Sequence, residues 1–326
     1  MAGNIQSLFF ESIRSRDKSA RSKGVLSKAI SIIENEAPES PMLLRELFPY
    51  LGNAYRIGLT GPPGSGKSTL VNLIAKDFAD KGLKVGIIAV DPTSSYTGGA
   101  ILGDRYRMND IVMHPNIFIR SMASRGSFGG LVKTAYQVAD LMDAYGMDII
   151  IFETVGVGQS EIEIVTHADS TAVVLVPESG DGVQAMKAGL MEIADIFIIN
   201  KSDREQADHI KLEIEAMLEL KPHDEKSWLT PVIKTIATQK KGTKDVLERI
   251  EKHKEYLTSS GELRRRRKDR IQHELLRLIE SRIRQQWTER DFVGKIQSHV
   301  EEIFSNKKSL YSVADTIYHE HFNGRP

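Results

Sequence analysis

The residues Gly61, Pro62, Pro63, Gly64, Ser65, Gly66, Lys67, Ser68 and Thr69 satisfy every fixed position of the phosphate-binding loop G-x-x-x-x-G-K-[ST]. The chemistry this spacing offers is the cradling of a polyphosphate. Gly61, Gly64 and Gly66 let the backbone turn its N–H groups inward. Lys67 is expected to reach the β- and γ-phosphate oxygens, and Ser68 to offer its hydroxyl to Mg²⁺. The whole stretch, Gly61 to Thr69, is therefore assigned to nucleotide binding. The competing reading, a plain glycine turn, is disfavoured by what flanks the loop. Ala54 to Thr60 is a short apolar run suited to a buried strand, and the residues after Lys67 carry helical apolar spacing up to Gly82.

A second cluster, Asn200-Lys201-Ser202-Asp203, follows the apolar run Asp195 to Ile199. In an open α/β sheet that position lies on the edge where ligands bind. An aspartate there can accept hydrogen bonds from guanine N1–H and from the exocyclic N2 amine, a donor pair adenine does not present, while the stem of Lys201 lies over the base. A site built around such bonds rejects ligands that leave its polar atoms unpaired. The bland alternative is a polar turn with Asp203 as a helix N-cap; the phosphate-binding loop tips the balance toward guanine. Further on, Thr235 to Gly242 stands where GTPases often place a Ser-Ala contact to the guanine carbonyl. Ile236 replaces the serine, so backbone donation at Ala237 is what remains.

Acids complete the constellation. Glu153 ends the run Asp148 to Thr154, where a carboxylate faces Mg²⁺, and Gly156 is placed to approach the γ-phosphate. Glutamate stands where aspartate is usual, and Gln159 is too far from Gly156 to be assigned the water-positioning role of a Ras-type glutamine. Slow intrinsic hydrolysis is expected. Asp91 and Asp104, at the two ends of a loop containing Gly98, Gly99 and Gly103, are candidates for direct or water-mediated Mg²⁺ contact; capping before Pro92 and an ordinary turn aspartate are the alternatives. The loop itself has the make-up of a switch ordered by γ-phosphate and metal. Another glycine-rich segment, Pro177 to Gly189, carries Lys187, which by spacing alone is as well explained as a solvated lysine.

The elements that must position these residues follow from hydrophobic patterning. Residues 1–50 carry helical patterns and form a helical arm. From 51 to 258, strands alternate with helices, and the strands lack polar alternation, as strands buried on both faces do. The fold class is α/β: a phosphate-binding-loop nucleotide-hydrolase domain with a mostly parallel sheet. Residues 259–326 form a charged helical extension in which Ile271, Leu275, Leu278, Ile279 and Ile283 line one face. That face is the candidate for dimerisation.

Composition narrows the classes. The 326 residues hold 44 basic and 44 acidic side chains, so no overall field favours nucleic acid or an anionic membrane, and neither partner is expected. Even the basic run Arg264 to Arg267 reads better as a solvated helix face at a subunit contact. Zero cysteines exclude disulfides, thiolate metal sites and thiol catalysis, which fits a cytoplasmic protein. The N-terminal stretch lacks the apolar core of a secretory signal. Its Ser and Arg content slightly resembles a mitochondrial transit peptide, but Glu11 and Asp17 are atypical of one.

Taken together, GPPGSGKST, VDPTSSYTGGAILGDRYRM, ETVGVGQSEIE, the Pro177 to Gly189 loop and NKSD resemble the MeaB/ArgK/MMAA family of P-loop GTPases over nearly the whole chain. The resemblance implies a homodimeric GTP-hydrolysing chaperone, binding GTP/GDP and Mg²⁺, that associates with an adenosylcobalamin-dependent acyl-CoA mutase, typically methylmalonyl-CoA mutase. It implies gating of cofactor loading and protection or reactivation of the mutase. By matching position it assigns Lys67 and Ser68 to the phosphate loop, Asp91 and Asp104 to a first switch and Glu153 to a second. Lys187 falls to a partner-responsive third switch, and Asn200, Lys201 and Asp203 to the base. Two other classes compete. One is an ATP-dependent kinase linked to amino-acid transport, although no kinase-type catalytic loop is visible. The other is a GTP-dependent metallochaperone for nickel, cobalt or zinc, although no Cys-x-x-Cys or His-rich tract is present.

Overall fold

A computed structural model of the chain describes residues 2–14, 22–91, 109–123, 128–154, 163, 167–178, 189–220, 227–287 and 290–322. Helix α1 (Ala2–Arg14), α2 (Lys23–Glu34) and α3 (Ser40–Leu47) precede strand β1 (Tyr55–Thr60). Then come α4 (Lys67–Asp80), β2 (Val85–Asp91), α5 (Asn109–Val112), β3 (Ile117–Ala123), α6 (Phe128–Ala144) and β4 (Ile149–Thr154). The chain continues through β5 (Ser170–Leu175), α7 (Leu190–Ile193), β6 (Ile196–Ile199), α8 (Ala207–Glu219), β7 (Val232–Lys234) and α9 (Thr243–Ser259). Helices α10 (Glu262–Trp287), α11 (Arg290–Phe304) and α12 (Leu310–Phe322) close it.

The strands form one seven-stranded sheet in the order β3-β2-β4-β1-β5-β6-β7, and every pairing is parallel. All strands therefore end at the same edge. Thr60, Asp91, Ala123, Thr154, Leu175, Ile199 and Lys234 are their last residues there. β1 lies between β4 and β5, so its C-terminal end opens at a point where the chain order runs away on both sides, the place ligands occupy in such sheets.

Both faces of the sheet are covered, which explains the unbroken apolar strands. On one face Leu70, Val71, Ile74 and Phe78 of α4 and Val246, Leu247 and Ile250 of α9 pack on Ile57, Leu59, Ile87 and Ile151. On the other, Ile88, Val90 and Phe152 are covered by α6 and by the N-terminal helices. Helix α2 begins at Ser22, whose hydroxyl accepts the Gly24 N–H, and buries Leu26, Ala29, Ile30 and Ile33, the i, i+3, i+4, i+7 stripe of an amphipathic helix. Phe9 of α1 stacks on Tyr145 with centroids 5.2 Å apart. A bidentate pair between Arg120 of β3 and Glu34 of α2 adds a polar tie. A third apolar cluster joins Ile210 and Ile214 of α8 to Val173, Leu175, Phe197 and Ile199.

Compact packing divides the chain into residues 1–263 and residues 264–326. The N-terminal helices and the sheet share the first unit. In the second, α11 and α12 contact one another. The apolar stripe of α10 is exposed in the single chain: Ile271, Leu275 and Ile279 are each about half accessible. Among the described residues no helix is long and apolar enough to cross a membrane.

Candidate functional site

The segment between β1 and α4 wraps around the C-terminal edge of the sheet. Gly61, Gly64 and Gly66 all have positive φ, at 148°, 74° and 90°. Two of these glycines are also required by space. A Cβ on Gly61 would lie 2.0 Å from the Val174 carbonyl oxygen, and one on Gly66 would lie 2.2 Å from Asn200 Nδ2. The loop therefore presses against β5 on one side and against the Asn200 side chain on the other. Gly66 caps α4, so the first N–H groups of a 14-residue helix open into the loop, where they favour an anion.

Lys67 is buried, 5% exposed. Its ammonium donates to the carbonyl oxygens of Gly61 and Pro62, both at 2.8 Å, and so spans the mouth of the loop. Burial disfavours the cation and pulls its pKa down to about 8, with the Glu153 carboxylate opposing that shift. Ser68, on the next residue of α4, donates to Glu153 Oε1 at 2.5 Å. Leu59 of β1 and Glu153 of β4 are register partners, which places the acid beside the root of the loop. Glutamate reaches one methylene further than aspartate from the same strand position, and that reach is what brings the carboxylate onto the Ser68 hydroxyl. A hydroxyl and a carboxylate oxygen side by side are hard ligands of the kind Mg²⁺ selects. Next to them, Thr154 donates to Thr60 Oγ1 at 3.1 Å, joining the ends of β4 and β1 beneath the loop.

Asn200 occupies the centre of a second knot. Its Nδ2 donates to the Ser65 carbonyl at 2.8 Å, and its Oδ1 accepts from Thr235 Oγ1 and from the Ala237 N–H, both at 3.1 Å. Its own N–H donates to the Leu175 carbonyl at 2.8 Å. One side chain, 2% exposed, thus ties the phosphate loop to the segment after β7. Lys201 turns away in the left-handed region at φ 57°, and Asp203 is exposed beyond it. The Ser202 N–H donates to the Thr235 carbonyl at 3.0 Å, so the turn holding Asp203 is stapled to the same segment. Arg204 pairs with Glu178, which follows β5.

The structure brings Gly61 to Thr69, Glu153, Asn200, Lys201, Asp203 and Ala237 to one edge of the sheet. It gives Ala237 a more specific engagement than the sequence suggests, since its N–H is directed at Asn200. Asp91 ends β2 on the same edge, in register with Ala123. Asp104, Gly156 and Lys187 lie outside the described residues. The roles of the Thr235, Thr60 and Thr154 hydroxyls were not foreseen from the sequence. Thr60 and Thr154 are the last residues of mostly apolar strands, the position that marks the ligand edge of a parallel sheet, while Thr235 follows β7 directly.

Comparison with known proteins identifies the family and the fold. The family model described as methylmalonyl Co-A mutase-associated GTPase MeaB matches residues 26–291. A putative GTPase of Pyrococcus abyssi is 44% identical over 300 residues, 91% of this chain and 93% of that protein. GTPase ArgK of Escherichia coli is 38% identical over 260 residues, 78% of each. The crystal structure of a LAO/AO transport system kinase superimposes with a TM-score of 0.74 at 27% identity, covering 98% of both chains. The chain belongs to the MeaB family of P-loop GTPases.

Proposed function

We propose that this protein is a guanine-nucleotide switch that hydrolyses GTP slowly by itself and serves as chaperone to an adenosylcobalamin-dependent acyl-CoA mutase, methylmalonyl-CoA mutase in the first instance, gating its cofactor loading and protecting or reactivating it. The observation that carries the nucleotide part is the Asn200 knot, which fixes the phosphate loop and the Asp203 turn relative to each other. A ligand that spans both is a nucleotide with its phosphates at Gly61 to Thr69 and its base at Asp203. The partner part rests on membership of a family described as methylmalonyl Co-A mutase-associated GTPases.

In this reading Lys67 supplies positive charge to the β- and γ-phosphates, and the helix α4 N–H groups hold the same oxygens. Ser68 and Glu153 fit Mg²⁺, with Asp91 and Asp104 as further acids of its surroundings. When bound, that ion neutralises charge developing on the phosphates. Gly156 approaches the γ-phosphate, and Lys187 answers to the partner. Asp203 accepts from the guanine edge while Lys201 covers its face. For Ala237 to serve the guanine carbonyl, its N–H would have to be released from Asn200 Oδ1 or shared with it. No residue is assigned to position the attacking water, which is why the reading includes partner activation: a group supplied in trans raises turnover by about 10³ to 10⁵ in other GTPases. The exposed stripe on α10 is the proposed homodimer contact.

The test has two parts. Equilibrium binding of GDP and ADP should favour GDP by well over an order of magnitude, and the protein should co-purify with the mutase in a nucleotide-dependent manner. Equal binding of both nucleotides would remove the guanine assignment. It would also favour the kinase reading suggested by the name of the solved relative.

A further inference from the structure

At the opposite, N-terminal edge of the sheet lies a buried polar chain that nucleotide chemistry does not use. The Tyr55 hydroxyl is 2.5 Å from Ser170 Oγ, which is 2.6 Å from His253 Nδ1. His253 Nε2 is 3.4 Å from Asp195 Oδ1, and the other oxygen of Asp195 accepts the Thr171 N–H at 2.8 Å. Trp228 covers the imidazole, with ring centroids 4.7 Å apart, and donates its indole N–H to the Asp195 carbonyl at 2.8 Å. Tyr55, Ser170, Asp195 and His253 are 2%, 1%, 7% and 0% exposed. The set contains the residue types of a nucleophilic triad, but the serine hydroxyl is enclosed between Tyr55 and His253, where no substrate reaches it.

The hydrogen positions follow from what each group can do. Asp195 Oδ1 stands 3.4 Å from Nε2, an ion-pair contact beyond hydrogen-bond geometry, and its negative charge favours the tautomer with the hydrogen on Nε2. In a neutral imidazole Nδ1 is then an acceptor. Ser170 donates to it, and the Ser170 oxygen in turn accepts from Tyr55. The hydrogen bonds run one way, from β1 through β5 to α9, and the Asp195 carboxylate, on the residue before β6, faces the far side of the ring.

Its position gives it a consequence. His253 belongs to α9, and the segment just before α9 is the one that grips Asn200 through Thr235 and Ala237. That segment runs directly into the helix: Thr243, the first residue of α9, donates to the Lys240 carbonyl at 3.0 Å, and Gly242 packs so closely on the end of β7 that a Cβ would meet the Lys234 carbonyl oxygen at 2.2 Å. Between the two ends, α9 rests on the sheet through Val246, Leu247 and Ile250, an aliphatic seam. Apolar packing is non-directional, whereas the buried hydrogen bonds from Tyr55 to Ser170 and from Ser170 to His253 are directional and favour one register.

We propose that His253, as its Nε2–H tautomer, is a positioning residue for the nucleotide site: it locks α9 to the sheet about 15 Å along the helix from its first residue, Thr243, and so holds Thr235 and Ala237, which precede that helix, against Asn200. The inference rests on the guanine-nucleotide reading of that site.

The experiment uses the full chain with His253→Leu and His253→Asn. Measured together are GDP affinity well below the melting transition, amide exchange across residues 235–259, melting temperature and the ¹⁵N shifts of the wild-type imidazole. His253→Leu should weaken GDP about tenfold, the scale of a small displacement of binding groups, and speed exchange across that segment. His253→Asn, which keeps an acceptor facing Ser170, should recover most of the affinity. Should the leucine variant fail to fold, Ser170→Ala removes the donor alone and should shift GDP affinity in the same direction. A variant with a lowered melting temperature and wild-type GDP affinity, or an imidazole in the Nδ1–H form, would overturn the proposal. Failure of the wild type to bind GDP would contradict the nucleotide reading instead, while the tautomer and exchange results would still decide whether the lock exists.

Discussion

Asn200 and Ser65 are joined across the ligand edge of the sheet by a 2.8 Å hydrogen bond from Nδ2 to the backbone carbonyl. Because Asn200 Oδ1 also holds Thr235 and Ala237, the base segment and the phosphate loop share one buried hinge pin. Removing it should loosen both at once. Asn200→Ala deletes bonds worth about 1 kcal/mol each and leaves their partners unsatisfied, so GDP affinity should fall by roughly 30- to 150-fold. Asn200→Asp, which turns the Nδ2 donor into a second acceptor facing the Ser65 carbonyl, should be no better. Isothermal titration checks both, and wild-type affinity in either variant would show that the pin is dispensable.

The parallel sheet and its ligand edge were legible because several strands are apolar runs that end at, or are followed by, a residue of a different kind: Thr60 before Gly61, Asp91 before Pro92, Glu153 before Thr154, Asn200 after Ile199. Parallel geometry then puts those ends together. The side-chain pairings were not legible. Nothing in the spacing says that Asn200 reaches Ser65, or that Glu153 meets Ser68, since those contacts join residues brought together by the order of strands in the sheet. The His253 chain was hidden for the same reason: its four residues come from β1, β5, the start of β6 and α9, and each taken singly is an ordinary polar residue.

Lys67 should show proton linkage. Burial lowers its pKa to about 8, and phosphate oxygens placed beside it favour the cation, so the bound value is higher. Near pH 8, nucleotide binding should therefore take up about half a proton, and affinity should fall as pH rises through that value. Titrations in buffers of different ionisation enthalpy measure the uptake. Binding that is proton-neutral in that range would mean Lys67 is fully charged before the nucleotide arrives.

Glu153 and Ser68 meet at 2.5 Å. Glu153→Gln should bind nucleotide but require much higher Mg²⁺ for turnover, because a neutral amide is a poor ligand for a hard cation. Manganese binding followed by paramagnetic resonance separates metal affinity from rate. An unchanged metal requirement in this variant would exclude Glu153 from the ion's surroundings.

In the proposed reading Asp203 selects the base by accepting two donors from guanine. Asp203→Asn places an amide donor where guanine also presents a donor and where xanthine presents a carbonyl, so preference should move from GDP toward XDP by about 10² or more. Competition binding with the two diphosphates reads the ratio directly; a variant that still prefers GDP would place the base elsewhere.

On α10, Leu275 and Ile279 are about half exposed in the single chain. If that stripe joins two copies, Leu275→Glu with Ile279→Glu buries unpaired charge in the contact and should give a monomer by light scattering, with little change in the melting of residues 1–263. A variant that remains dimeric would move the interface off this helix.

The central claim is tested most directly by the steady-state hydrolysis of GTP and, separately, of ATP, each with and without a cobalamin-dependent acyl-CoA mutase from the same source. Turnover should be specific for GTP, slow alone and accelerated by the mutase. GTP turnover indifferent to the mutase, or a preference for ATP, would contradict it.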